Sequence, residues 1–340
     1  MTDSYQRPSI RTVAQRAGVS TATVSNVLNM RRNVAAELAA RVHEAVSELG
    51  YIADLGAARL RSRRSTIIGV IVPEIANPFF GAMVAELEER ARADGYDLLI
   101  VSSDGDAATE AHRLQALLTW RPAGLIVVPC DEQLASCSIV ERAGVPMVLA
   151  DRVPPNARCD SVSIDNRAEA AALARHLVAG GRRRLLVVAN DLTLHNMAER
   201  VAGVRDGVGA LGEVEVLEGG NYQATCRARI GTRLDTGKLP DALCTLTNAA
   251  TLGAVGAFAE RGLVSPRDLA LAGFDDEEWM RVVSPSLTMV RQPVEAMAAA
   301  AWARLMARIG GDLGQMQTVR LPCSLETRES TRPMRVHAAA

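Results

Sequence analysis

Asp151-Arg152, Asn248 and Phe274-Asp275-Asp276 each stand close behind a short run of aliphatic residues, and Arg200 lies in the stretch after another such run. Carboxylates accept hydrogen bonds from hydroxyls, and a guanidinium can hold a hydroxyl or a carboxylate with a two-pronged geometry. Phe79-Phe80, in the segment Glu74–Phe80, are neighbours in a chain with only eleven aromatic residues, which suits a stacking role. Polar groups converging beside an aromatic wall are how polyhydroxylated ligands are held. Several of these residues have a plainer use as well. Phe80 suits the core more than a ligand, and Asp165-Asn166 can cap a helix and brace a crossover. Asp276, Trp279, His195, Asn196 and Arg152 can serve either the ligand or the frame. Of these, Phe80, Arg152 and Asn196 join Phe79, Asp151, Arg200, Asn248 and Asp275 as candidate ligand-binding residues.

The elements that must position these groups read as α/β. Apolar runs at Ile67–Val72, Leu98–Val101, Leu125–Val128, Met147–Leu149, Leu185–Ala189, Val214–Leu217, Leu243–Leu246 and Leu269–Gly273 alternate with helical stretches such as Ala82–Ala93, Ala168–Ala179 and Leu252–Arg261. Such alternation implies parallel sheets buried between helices. Ligands of these sheets gather at the carboxyl ends of the strands.

A different chemistry sits at the front of the chain. Residues 1–64 carry ten arginines against five acids, whereas the remainder is acidic on balance; the total is −1. A basic head on an acidic body suggests a polyanion-binding module. Within it, residues 10–29 read IRTVAQRAGVSTATVSNVLN. Thr12 can cap a first helix with Val13, Ala14 and Ala17 as its apolar side, and Gly18 suits a tight turn. Ser20 can cap a second helix, in which Val24, Val27 and Leu28 share one face. Its other face shows Thr21, Ala22, Ser25, Asn26 and Asn29, short side chains that allow entry into a major groove. A third helix carries Leu38, Val42, Val46 and Leu49, with Gly50 as its stop.

TVAQRAGVSTATVSNVLN resembles, nearly position for position, the N-terminal signature of the lactose-repressor family of bacterial transcriptional regulators, and the likeness runs to about residue 330. The resemblance implies a helix-turn-helix DNA-binding domain (1–53), a hinge helix or linker (54–65), a two-lobe periplasmic-binding-protein-like body (66–330) and a tail (331–340). Lobe one would span about 66–162 and 291–319, and lobe two about 163–290 and 320–330, with crossings near 161–164, 288–292 and 319–322. It places Thr21, Ala22 and Asn26 at base-reading positions, and Thr12, Ser20, Thr23, Ser25 and Asn29 at phosphate contacts. Leu60 would wedge into the minor groove, with Arg59, Arg61, Arg63 and Arg64 on phosphates. Phe79, Asp151, Arg200, Asn248 and Asp275 match positions that line the effector cleft. The chain departs from the family where Ile52-Ala53 replaces the usual proline, where Ala35 replaces the serine before the third helix, and in the helix-weakening Gly56 of the hinge.

The expected function is therefore a sequence-specific transcriptional regulator, most simply a repressor. Its operator affinity would be set by a sugar or sugar acid bound between the lobes. A pseudo-palindromic operator and a homodimer are the expected partners, since LETRESTRPMRVHAAA shows no heptads for a coiled-coil tetramer. A sugar-binding receptor without DNA function is the rival, but it would need a secretory signal and no basic head. Met1–Tyr5 lack the features of such a signal, so a cytoplasmic location is expected. No apolar run approaches the about eighteen residues of a membrane span. GxSxG, HExxH, P-loop and strand-end GxGxxG patterns are absent, and adjacent Asp275-Asp276 seldom share a catalytic geometry, so no catalytic residue and no cofactor is expected. The six cysteines form no CxxC pair, which points to reduced thiols and no metal site.

Overall fold

A computed structural model describes residues 8–28, 34–51 and 65–333. Asn29, Gly56, Arg59, Leu60, Arg61, Arg63 and Arg64 lie outside them. The chain divides into two units, Met1–Ser65 and Thr66–Ala340.

The head is built from α1 (Ile10–Ala17), α2 (Thr21–Leu28) and α3 (Ala36–Leu49). The cap of α1 is Ser9, not Thr12 as the sequence reading has it. Thr12 is the third helical residue, and the two close a reciprocal box in which the Ser9 hydroxyl accepts from Thr12 N–H at 3.3 Å. Gly18 takes a left-handed backbone (φ 64°) that turns the chain, and Arg41 Nη2 donates to Ala17 O at 2.6 Å to tie α3 to that turn. Ser20 caps α2 through Thr23 N–H at 3.0 Å. Val13, Ala14, Ala17, Val24, Val27, Val42 and Ala45 form the core, with Leu28, Val46 and Leu49 partly buried against it.

The body holds two six-stranded sheets. The first orders as β11-β5-β4-β3-β1-β2 and the second as β12-β10-β9-β8-β6-β7. The first comprises β1 (Ile67–Val72), β2 (Asp97–Ser102), β3 (Gly124–Val127), β4 (Met147–Ala150), β5 (Asp160–Ile164) and β11 (Thr318–Leu321). The second comprises β6 (Arg184–Ala189), β7 (Glu213–Glu218), β8 (Ala242–Thr245), β9 (Ala270–Phe274), β10 (Thr288–Arg291) and β12 (Ser324–Glu326). All pairs are parallel except β10 with β12. The helices between them are α4 (Pro78–Ala93), α5 (Ala107–Thr119), α6 (Cys137–Arg142), α7 (Asn166–Ala179), α8 (His195–Val208), α9 (Gln223–Asp235), α10 (Asn248–Arg261), α11 (Glu278–Val282) and α12 (Val294–Ile309).

The segments read as lobe crossings fall on β5, β10 and β11, and a further strand, β12, follows them. β5 reads Asp-Ser-Val-Ser-Ile yet is buried throughout. Its polar groups are met inside the lobe: Arg304 and Arg308 bracket the Asp160 carboxylate at 3.2 and 2.5 Å, and Ser161 Oγ lies 3.2 Å from Thr318 Oγ1.

Ala35 leaves α3 without a side-chain cap. Ala35→Ser supplies an acceptor for the first-turn amides and is expected to stabilise α3 by about 1 kcal/mol. Slower hydrogen exchange of the Leu38 amide checks this; an unchanged rate counts against it.

Candidate functional sites

In the head, α2 turns Val24 and Val27 inward and leaves Thr21 and Ala22 exposed and Ser25 and Asn26 half-buried beside them. Those four lie on one continuous face. The hydroxyls of Thr12, Ser20 and Thr23 are already engaged at the capped ends of α1 and α2, Thr12 Oγ1 with the Ser9 cap at 3.0 Å and Thr23 Oγ1 with the Ser20 cap at 2.9 Å. Their capping role and an outward contact remain compatible, because all three residues stay at least partly exposed.

In the body, the polar candidates collect at the carboxyl ends of strands. Asp151 follows β4 and Asp275 follows β9, and both are non-glycine residues in the left-handed region (φ 61° and 70°). Each is fixed the same way: Asp151 N–H donates to Val162 O at 2.9 Å and Asp275 N–H to Val290 O at 3.1 Å, carbonyls of the neighbouring strands β5 and β10. Backbone strain of this kind clusters at functional sites. Burial pushes the Asp151 carboxyl above the usual carboxylate range; Arg200 and Arg152 draw it down, and the charge of Asp275 adds to the rise.

Arg200 is 2% exposed. Its Nε donates to Asn166 Oδ1 at 2.8 Å, its Nη1 donates to Leu246 O at 2.7 Å, and its guanidinium carbon lies 4.1 Å from the centre of the Phe274 ring. Asn196 sits one turn earlier on α8, and Asn248 opens α10, which Thr247 caps through Ala250 N–H at 3.2 Å. Gln292, buried just past β10, donates from Nε2 to Asp275 Oδ1 at 2.7 Å. Asp151 Oδ1, Asn196 Oδ1, Asn248 Oδ1 and Gln292 Oε1 are buried without a protein hydrogen-bond partner, as is Asn190 Oδ1 at the end of β6.

Other candidates resolve toward the frame. Phe79 and Phe80 meet edge to face, centroids 5.2 Å apart, and both rings belong to the buried core. Arg152 lies over Phe80, its guanidinium carbon 5.7 Å from the ring centre. Asp165 caps α7 through Ala168 N–H at 3.0 Å, while its neighbour Asn166 holds Arg200. Trp279 packs against the second lobe's core. Asp276 turns away from Asp275 into three arginines, with Arg281, Arg291 and Arg328 nitrogens 3.1, 2.8 and 2.6 Å from its carboxylate. Burial by itself would raise this carboxyl, but Arg328 and then Arg291 outweigh it and hold the pKa down.

Sequence reasoning missed Gln292 and the roles of Asn166 and Phe274. For Gln292 the available signal was its place immediately after an apolar run, Leu287–Val290; for Asn166 there was only its neighbour's capping pattern. The cysteines are all free, and burial raises Cys130, Cys159, Cys244 and Cys323 to about 12 and Cys226 to about 11. Among the described residues no helix is long and apolar enough to cross a membrane.

A three-helix head whose second helix shows a small polar face, joined to two parallel-sheet lobes with polar groups at their strand ends, defines a DNA-binding transcription regulator with an effector-binding domain. The family described as "Bacterial regulatory proteins, lacI family" matches residues 9–54, and the "Periplasmic binding protein-like domain" matches residues 174–331. The HTH-type transcriptional regulator PtxS of Pseudomonas putida is 32% identical over 333 residues, covering 96% of this chain and 97% of its own. The HTH-type transcriptional repressor PurR of Aliivibrio salmonicida is 30% identical, covering 94% and 98%. Among solved structures, the lac repressor dimer bound to operator and the anti-inducer ONPF superposes with a TM-score of 0.81 at 27% identity, over 96% of this chain and all of that one. A complex of the transcriptional regulator CelR with cellobiose gives 0.72 at 25%, over 95% and 100%. The chain belongs to the lacI family of bacterial regulatory proteins, and these relatives are regulators rather than enzymes.

The raised pKa of Asp151 has a stability consequence. The folded chain keeps this proton to higher pH than the unfolded chain does, so the contribution is full at acid pH and declines as pH rises through the folded value. Asp151→Asn is expected to stabilise the ligand-free body near neutral pH, the gain shrinking as pH falls. Thermal melts across pH check this; a gain that grows in acid contradicts it.

Proposed function

We propose that this chain is a repressor that binds a pseudo-palindromic operator as a homodimer, with operator affinity set by a small polyhydroxylated ligand, a sugar or sugar acid. Asp151, Arg200, Asn196, Asn248 and Asp275 hold the ligand, Gln292 orients Asp275, and Phe79, Phe80 and Arg152 shape the wall behind them. The observation that carries this reading is the set of buried, unpartnered side-chain oxygens at the strand ends. Unpaired buried polar atoms are costly, and a hydroxyl satisfies them whichever way an amide is turned, because it both donates and accepts. Several at once call for a ligand with several hydroxyls. The cellobiose in the CelR complex is a ligand of that kind.

On the DNA side, Thr21, Ala22 and Asn26 read base edges, while Thr12, Ser20, Thr23, Ser25 and Asn29 contact phosphates. Residues 1–53 serve as the reader and 54–65 as a hinge whose Leu60 wedges the minor groove between Arg59 and Arg61. The two-lobe body, 66–330, transmits the state of the cleft, in a cytoplasmic protein without catalysis. Ligand and DNA favouring different arrangements of one dimer is sufficient for the coupling.

A thermal-shift panel of neutral sugars, sugar acids and nucleobases tests the ligand class, since a ligand bound to the native state raises the melting temperature. A shift with nucleobases alone overturns the assignment. Asp275→Ala is expected to retain operator binding and lose the response to the shifting compound, measured by fluorescence anisotropy on operator DNA; an intact response removes Asp275 from the site. Asn26→Ala should weaken operator binding by roughly 1–3 kcal/mol and relax the preference at one base step. An equal loss on random duplex would assign Asn26 to the backbone instead.

A further inference from the structure

Helix α8 carries Asn196 and Arg200, yet its own N-terminus is poorly finished. The residue at its cap position is Leu194, buried in the core with a side chain that cannot accept a hydrogen bond, and the first turn contains no acid. Four body helices are finished by their own side chains, Asn77 on α4, Asp106 on α5, Asp165 on α7 and Thr247 on α10, whereas α6, α9, α11 and α12 share with α8 the lack of a side-chain cap. In α8 the first backbone amide, His195 N–H, donates to Glu132 Oε1 at 2.8 Å. Glu132 belongs to the other lobe, in the loop between β3 and α6.

That loop is held firmly from below. Glu110 of α5 is completely buried, and its carboxylate accepts from Cys130 N–H at 2.7 Å, from the Cys130 thiol at 3.0 Å and from the Ser136 hydroxyl. Asp131 folds the loop upon itself, accepting from Gln133 N–H and Ala135 N–H at 2.9 Å each. Both ends of the segment 130–136 are thereby pinned to lobe one, and Glu132 projects from it to the first turn of a lobe-two helix.

We propose that Glu132 is a positioning residue of the effector site: its carboxylate caps α8 from the opposite lobe, so the helix that presents Asn196 and Arg200 is complete only while the lobes stand together. A carboxylate at a helix N-terminus satisfies an orphan amide and meets the positive end of the helix dipole. Separating the lobes by an ångström or two takes the pair beyond hydrogen-bond distance. Closure and the order of the first turn of α8 are thus one equilibrium. The proposal rests on the reading that Asn196 and Arg200 face the effector, but the cap itself is measurable without any ligand.

The test is hydrogen exchange in the ligand-free, full-length chain, followed on peptides covering His195–Ala198 and Gln133–Ser136. Glu132→Ala is expected to speed exchange at the start of α8 by about tenfold, the scale of a lost cap. Glu132→Gln keeps an acceptor oxygen and is expected to recover most of the protection. Exchange at Gln133–Ser136 stays as in the native chain, because Glu110 and Asp131 hold that loop without Glu132. Native exchange at His195–Ala198 in Glu132→Ala overturns the proposal. So does a rise there that in both variants only accompanies unfolding of the loop. If the cap behaves as expected while Asp275→Ala leaves the effector response intact, the cap stands and the site assignment falls.

Discussion

A guanidinium almost wholly removed from water must find partners inside the protein, and the second lobe is arranged around that requirement. A hydrogen bond to a charged group is worth about 1.5–3 kcal/mol, so the partners of Arg200 are as constrained as Arg200 itself. Asn166 holds it from α7, the Leu246 carbonyl from just past β8, and the Phe274 ring from the end of β9. The helix that carries it is set equally closely. Gly203 and Gly207, one turn apart on α8, lie so near α7 that an added Cβ would fall 2.2 Å from Arg167 O and 2.4 Å from Ala171 O. Any larger residue at either point would push α8 outward and drag Arg200 from its partners.

The same lobe separates two adjacent carboxylates into different tasks. Asp275, turned by its left-handed backbone, is held by Gln292 at the end of its strand, whereas Asp276 is sunk among Arg281, Arg291 and Arg328. Arg291 ends β10 just before the chain passes toward α12, and Arg328 follows β12 just after its return. A single buried carboxylate therefore clasps both passages to the loop that presents Asp275. The ion cluster sets where the neighbouring side chain stands.

How far the sequence reveals this depends on where each side chain's partners lie. Strands such as Ile67–Val72 and Leu185–Ala189 announce themselves because parallel strands buried on both faces need continuous apolar runs. β5 does not, since Asp160 and Ser161 are met by residues far along the chain, Arg304, Arg308 and Thr318. The caps show the same division. Ser20 is legible, but Ser9 and Thr12 form a reciprocal pair in which either could be read as the cap, and only geometry shows that the helix starts one turn earlier. At the site, Asp151, Arg200, Asn248 and Asp275 are legible from family likeness and position behind strands. Gln292 and Asn166 matter through contacts with Asp275 and Arg200, which no local pattern encodes.

The lobes also repeat one device. β4 and β9 occupy equivalent places in the two sheets, and each ends in an aspartate whose amide is held by the neighbouring strand, β5 or β10. Each lobe thus offers a carboxylate at a corresponding strand end. Burial is what chiefly raises the Asp151 carboxyl; Arg200 and then Arg152 draw it down, each more strongly than the charge of Asp275 pushes it up. On the proposed reading, a ligand bearing hydroxyls on two sides would donate to a carboxylate of each lobe, Asp151 and Asp275. Such a ligand would shift the population of lobe arrangements by its preference for one of them and not by its total affinity.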